Sequence, residues 1–324
     1  MGRTPSLMML ALLGCSGDSD LEPVFATLDG RVGFELEADL SAYLDVGAGD
    51  WSSSDTMPPG IELDADGWLT GIPLSSGYYP LDLVVQADDG VAGVLTVELF
   101  IPTVALLSGY EPFGGADTNP SIEALWPLQE QIVGGLDLRV IEVPVVWDDA
   151  WLVLADEIFL LNPDIVIATG QAGSDKMRFE INAVNIEEGT DNDDVTRSGE
   201  AVVEGGPGAL IDSLPEDVMS VAMEQAGYAT SISDDAGTYL CNNLFYHLMY
   251  YAELEAERDD LVAGFIHVSP AGQYSSYSVE DITAAHTVGL EALGAWYEAG
   301  AVMRASVRAD EHRTPVYFAS GATP

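Results

Sequence analysis

"TVALLSGY", residues 103–110, is an apolar run closed by glycine and tyrosine, and the grammar of the chain changes there. Beyond it, apolar runs of strand length alternate with segments of helical period. The runs are "DLRVIEVPV" (137–145), "PDIVIATG" (163–170), "AGYATSIS" (226–233) and "LVAGFIHV" (261–268). The helical segments are "PSIEALWPLQEQI" (120–132), "WDDAWLVLADEIFLLN" (147–162), the stretch after Thr238, and Ser278–Ala299. Such alternation predicts a largely parallel sheet covered by helices. Before residue 104 the pattern is all β. "LDLVVQADDGVAGVLTVELFI" (81–101) has two β-rich runs about Asp88-Asp89-Gly90, a hairpin signal. Turn residues at Pro58-Pro59-Gly60, Asp66-Gly67 and Ser76-Gly77 space short strands as a small sandwich does. Asp64, Asp66 and Asp88-Asp89 suit either calcium or turn formation, and turn chemistry is the cheaper account.

The chain has 324 residues, 54 acids against 10 bases and a formal net charge of −44. That balance argues against nucleic-acid partners, whose phosphates need basic patches. It suits solubility outside the cell or in salty surroundings. Arg3 followed by the apolar Leu7–Leu13 reads as the start and h-region of a secretory signal, too short to span a bilayer. "LLGC" (12–15) resembles the bacterial lipobox, which implies that Cys15 carries lipid and that the protein is anchored outside the cytoplasm without a transmembrane helix. Ser16, rather than aspartate, after the cysteine implies the outer membrane if the organism is Gram-negative. No later stretch is long and apolar enough to span a membrane. The expected organisation is a signal over 1–15, a tether over 16–20, the β domain over 21–103, the α/β domain over 104–300 and a tail over 301–324. The β domain resembles the Ig-like domains of bacterial surface proteins through Met57–Gly60, Leu63–Gly67, Leu69, Gly71, Pro73, Gly77 and Tyr78.

The chain has two cysteines. If Cys15 is lipidated, Cys241 has no partner for a disulfide and is a candidate nucleophile. It lies in "AGTYLCNNLFYHLM" (236–249), where Thr238 reads as the N-cap and Leu240, Leu244 and Leu248 mark the buried face. A thiol in the first turn meets free N–H groups and the helix dipole, which favour thiolate. Packing as a small core residue is the competing account. Of the four histidines, His267 ends a strand, where the sites of open α/β sheets lie, so it is the best candidate base. A structural role for it stays open. No metal-ligand spacing is present, and no cofactor is expected.

Six ordered segments resemble the pyroglutamyl peptidase type I family: "LLSGYEPFGGADTNPS" (106–121), "PDIVIATGQAG" (163–173), "FEINAVN" (179–185), "VEGGPGALIDSLP" (203–215), "AGTYLCNNLFYHLM" and "AGFIHVSP" (263–270). The resemblance implies a three-layer α/β/α peptidase domain with a mostly parallel sheet. It implies Cys241 as nucleophile, His267 as base and Glu180 as its orienting acid. It also places Tyr110 and Phe113 about a flat lactam ring, with Gln171 beside it. The implied substrates are N-terminally pyroglutamylated peptides; a homo-oligomer is left open. Thr190 aligns with an arginine that the family keeps near the oxyanion, and Arg197 is the nearest arginine in the chain. Losing such a donor costs on the order of tenfold to a thousandfold in rate. Ser174 replaces a glycine, and Ser269 is inserted before Pro270. These departures motivate a second reading, a surface binding protein that keeps the fold with weakened turnover. A third is an amidase acting on another small cap.

Overall fold

The computed structural model describes residues 23–311 except 45–48, 88–89, 256–257, 259 and 273–274. The expected signal, Cys15, the tether and Asp88-Asp89 lie outside the described residues. The first unit contains β1 (Val24–Asp29), β2 (Leu36–Asp39), β3 (Asp50–Ser53), β4 (Ile61–Leu63), β5 (Trp68–Gly71), β6 (Gly77–Ala87) and β7 (Gly90–Ile101). They form a four-stranded sheet, β1-β7-β6-β3, and a three-stranded sheet, β2-β5-β4. Period-two alternation turns Leu81, Leu83 and Val85 of β6 and Leu95, Val97 and Leu99 of β7 inward. They share one core with Leu40, Trp51, Ile61 and Leu69. β6 and β7 form the expected hairpin, with Ala87 opposite Gly90. Asp64 folds its own turn: the N–H groups of Asp66 and Trp68 donate to its Oδ1 at 3.0 and 2.8 Å.

The second unit runs β8 (Thr103–Tyr110), α1 (Pro120–Glu123), β9 (Ile132–Val133), β10 (Leu136–Val143), α2 (Asp149–Leu161), β11 (Ile165–Gln171), β12 (Met177–Glu180), β13 (Asn182–Val184), β14 (Glu187–Thr190), β15 (Thr196–Glu200), β16 (Ala209–Ile211), α3 (Glu216–Gln225), β17 (Thr230–Ser233), α4 (Leu240–Tyr250), β18 (Val262–Val268) and α5 (Val279–Glu311). Seven strands form one sheet in the order β17-β12-β18-β11-β8-β10-β9. Its central strands are parallel, as expected. The sheet as a whole is mixed, because β12 runs antiparallel to β18 and β9 antiparallel to β10. Only residues 172–176 separate β11 from β12, and a parallel return needs a crossover of about a dozen residues. Helices cover both faces. Leu154, Leu244, Phe245 and Leu248 pack with Leu106, Val166 and Phe265 on one side. Ile122, Met219, Met223, Ile282 and Leu290 pack with Ile167, Phe179 and Ile266 on the other.

Three expectations need correction. Residues 120–132 are not one helix: α1 stops at Glu123 and a 3-10 turn covers Trp126–Leu128. Pro127 lacks an N–H, and its ring clashes with the carbonyl four residues back, that of Glu123. α4 is capped by Tyr239 rather than Thr238, with no side-chain cap bond, so Cys241 is its second residue. The last helix runs on to Glu311 instead of giving way to a tail at 301.

The two units meet at a charged joint. Buried Asp137 receives Arg31 on one side and Arg139 on the other, the latter at 2.7 Å. The Phe34 ring lies under both guanidinium carbons, at 4.9 and 4.6 Å. Asp137→Ala leaves Arg139 buried and uncompensated, so it should lower the urea-unfolding free energy by about 3–5 kcal/mol. A second carboxyl gives a pH signature. Burial and the neighbouring Glu216 push the Asp212 pKa up to about 8. The folded chain therefore binds this proton more tightly than the unfolded chain, and stability falls as pH climbs from about 4 towards 8. Asp212→Asn should flatten that fall. Its urea midpoint should gain on the wild type between about pH 5 and pH 8.5.

Candidate active site

The site forms where β8, β11 and β18 end and α4 begins, the side on which open α/β sheets place ligands. β18 lies between β11 and β12, so His267 has Gly170 on one side and Arg178 on the other. Glu180 follows Arg178 by two residues and shares its face of the sheet. His267 Nδ1 lies 2.7 Å from Glu180 Oε1. Glu180 is fully buried and His267 nearly so.

Cys241 is a free thiol. Its sulfur sits above Gly170, where an added Cβ would lie 2.7 Å from Sγ and 3.1 Å from the Phe265 ring. The Cys241 and His267 side chains are within hydrogen-bonding reach. Burial alone would lower the His267 pKa. The hydrogen bonds from Cys241 and Glu180, together with their charges, outweigh it and carry the value up to about 9. The protonated imidazole is the form this arrangement favours.

The first turn of α4 is fixed from three sides. Asn242 Oδ1 accepts from Val184 N–H at 2.9 Å, while its amide donates to the carbonyls of Val184 and Ile186 at 2.8 and 2.9 Å. Asn243 donates to Glu187 at 2.9 Å. Tyr110 donates its hydroxyl to the Leu240 carbonyl at 2.7 Å. The N–H groups of Leu240, Cys241 and Asn242 open the helix without intrahelical acceptors, so they can hold a negative charge that develops beside the sulfur.

A pocket of about 90 Å³ opens beside the sulfur, lined by Tyr110, Phe113, Asn119, Val145, Gln171, Tyr239, Leu240 and Cys241. A single water needs about 10–15 Å³, so there is room for a small ring. The sequence-expected Tyr110, Phe113 and Gln171 are brought together here; Val145, Tyr239 and Leu240 were not foreseen. Asn119 shapes the loop by donating to the Glu111 carbonyl at 2.9 Å and accepting from the Ser121 N–H at 3.0 Å. Thr190 meets Thr196 through their hydroxyls at 2.9 Å, and its carbonyl accepts from Tyr239 at 2.7 Å. Arg197 is engaged by Asp148 at 3.3 Å and by Glu187 at 3.7 Å. Neither Thr190 nor Arg197 lines the pocket. Ser269 is tied to Ser275 through their hydroxyls at 2.8 Å. The other histidines lie elsewhere. His247 stacks on Trp151 with centroids 5.7 Å apart. His286 is buried on the inner face of α5, where desolvation lowers its pKa to about 4. His312 is outside the described residues.

One charged neighbour escaped the sequence reading. Arg178 Nε donates to Glu180 Oε1, and its Nη2 lies 3.2 Å from His267 Nδ1. The signal was the i, i+2 spacing of Arg178 and Glu180 in a strand.

Residues 103–293 match the family model described as pyroglutamyl peptidase. A pyrrolidone-carboxylate peptidase of Erwinia tasmaniensis is 35% identical over 166 residues, which cover 50% of this chain and 76% of the relative. One from Lactobacillus helveticus is 34% identical over 198 residues, 57% of this chain and 96% of the relative. Among solved structures, pyroglutamyl peptidase I of Bacillus amyloliquefaciens superposes with a TM-score of 0.57 at 32% identity, covering 60% of this chain and 97% of that one. The pyrrolidone carboxyl peptidase of Thermococcus litoralis gives 0.58 at 26% identity, covering 61% and 96%.

Gly170→Ala tests the packing of the sulfur against the sheet. The new methyl must displace Sγ or the Phe265 ring. Alkylation of Cys241 by iodoacetamide near neutral pH should slow, with the fold retained by circular dichroism.

Proposed function

The chain belongs to the pyroglutamyl peptidase family and is a cysteine exopeptidase; from that premise we propose that Cys241, His267 and Glu180 remove pyroglutamate from peptide N-termini outside the cytoplasm. The observation that carries the residue assignment is the hydrogen bond between His267 Nδ1 and Glu180 Oε1 at 2.7 Å, with Cys241 within reach of the same imidazole. The Cys241 thiolate attacks the carbonyl carbon that joins the lactam residue to the peptide. The carbonyl oxygen takes up the negative charge and is held by the Cys241 N–H at the start of α4. His267, as imidazolium, gives its proton to the departing amine, and the C–N bond breaks. A thioester remains on Cys241. Water, deprotonated by His267, then releases pyroglutamate and restores the thiol. Glu180 keeps the imidazole in the tautomer that carries hydrogen on Nδ1. The Tyr110 and Phe113 rings bracket the flat lactam, and the Gln171 amide meets its polar edge.

Export and lipid attachment at Cys15 belong to the same proposal, and their support is the order of Arg3, Leu7–Leu13 and Leu12–Cys15. The unit over residues 21–103 is proposed as an Ig-like spacer, supported by two sheets that enclose one core.

A pyroglutamyl amide reporter tests the chemistry. The wild type should release the reporter, and Cys241→Ala should not. Glu180→Gln should lower kcat by roughly 10²–10⁴. Activity should decline above about pH 9 as His267 loses the proton it must donate. Reporter release by Cys241→Ala at the wild-type rate would sink the assignment. For the anchor, the full-length chain should partition into detergent, and Cys15→Ala should move it to the aqueous phase; an unchanged distribution would refute lipidation.

A further inference from the structure

We propose that Arg178 is a positioning residue of the catalytic set, one that shares Glu180 with His267 and limits how tightly the imidazolium is held. The proposal rests on the catalytic reading of Cys241, His267 and Glu180.

Register puts Arg178 there. It stands directly opposite His267 across the β12–β18 ladder, and alternation gives it the same face as Glu180. Its Nε and His267 Nδ1 converge on one oxygen, Glu180 Oε1. The other oxygen, Oε2, is buried without a hydrogen-bond partner among the described residues. Both donors therefore draw on the same lone pairs, and a change in one is felt by the other. Arg178 also sets a permanent positive charge 3.2 Å from Nδ1.

The other charged or titratable groups facing His267 are few. α4 contributes Cys241 and β12 contributes Glu180, and both favour the imidazolium. β11 contributes only Gly170 beside it. The Tyr110 phenol at the end of β8 is buried and engaged by the Leu240 carbonyl. Asp175, beyond β11, is engaged by Ser276 and Ser269. Arg178 is thus the cation that, alongside burial, stands against the two anions.

This opposition has a catalytic consequence. A histidine held only by a thiolate and a carboxylate would keep its proton and serve poorly as an acid towards the leaving amine. General acids work best when their affinity for the proton lies near the working pH. A like charge at this distance lowers the affinity of the ring. Arg178 also fixes the carboxylate in the plane that meets Nδ1, so loss of the guanidinium frees both the geometry and the charge.

The test uses the whole chain and two readouts. Arg178→Gln removes the charge; Arg178→Met is a second neutral variant should the first fail to fold; Arg178→Lys restores the charge. NMR of the His267 ring, assigned with His267→Ala, needs no substrate. The neutral variants should raise its titration midpoint by about one pH unit, a tenfold change in proton affinity. The alkaline limb of kcat/KM should move up with it. Arg178→Lys should titrate like the wild type. A midpoint that is unmoved or lowered in the neutral variants, or raised as far in Arg178→Lys as in Arg178→Gln, overturns the proposal. A purely structural role would change the melting temperature and leave the midpoint in place. Absence of hydrolysis by the wild type would count against the catalytic reading alone, since the ring titration stands without it.

Discussion

The placement of β18 between β11 and β12 is the constraint on which the site depends. It fixes three partners of one imidazole at once. The parallel ladder to β11 puts a glycine beside His267, leaving space for the Cys241 sulfur. The antiparallel ladder to β12 puts Arg178 opposite it and Glu180 one step along on the same face. A slip of one residue in either ladder would turn His267 to the far side of the sheet, into the core with Ile266 and Val268. The apolar face that forbids such a slip is therefore also what holds the geometry around His267.

The helix that delivers the thiol is held by polar contacts rather than by its own cap. Tyr239 offers no capping side chain, so the first turn leaves its N–H groups available to a developing negative charge. Stability comes instead from the two asparagines after the cysteine, which bind β13 and Glu187, and from the Tyr110 hydroxyl. The hydroxyl is spent on the backbone, so Tyr110 offers the pocket its ring and little else.

The sheet was legible in the sequence where its strands are buried on both faces. β8, β11 and β18 read as continuous apolar runs because helices cover each side. α2, α4 and α5 were legible through their period. Residues 120–132 were misread because the helical pattern of apolar residues outweighed Pro127, whose missing N–H decides the local outcome. β14 and β15 carry little apolar sequence and pair locally in an acidic stretch, so no periodicity marked them. Cys241, Glu180 and His267 could be named from motifs. Arg178 could not, because its role arises from a partner 89 residues away whose register only the folded sheet sets.

Cations are scarce in a chain with 10 bases and 54 acids, and their positions follow a pattern. Arg31 and Arg139 close the joint between the units through Asp137. Arg197 ties the β14–β15 hairpin to the start of α2 through Asp148, and pairs with Glu187 within the hairpin. Arg258 binds Asp260, Asn162 and the Pro163 carbonyl beside the start of β11. Arg178 alone among these arginines reaches His267, through Nδ1. With threonine at position 190 and Arg197 held by its carboxylates, the proposed reaction places the burden of stabilising its oxyanion on the backbone at the start of α4. That burden explains why so many side chains are committed to fixing one helical turn: a donor that cannot bring charge must bring geometry.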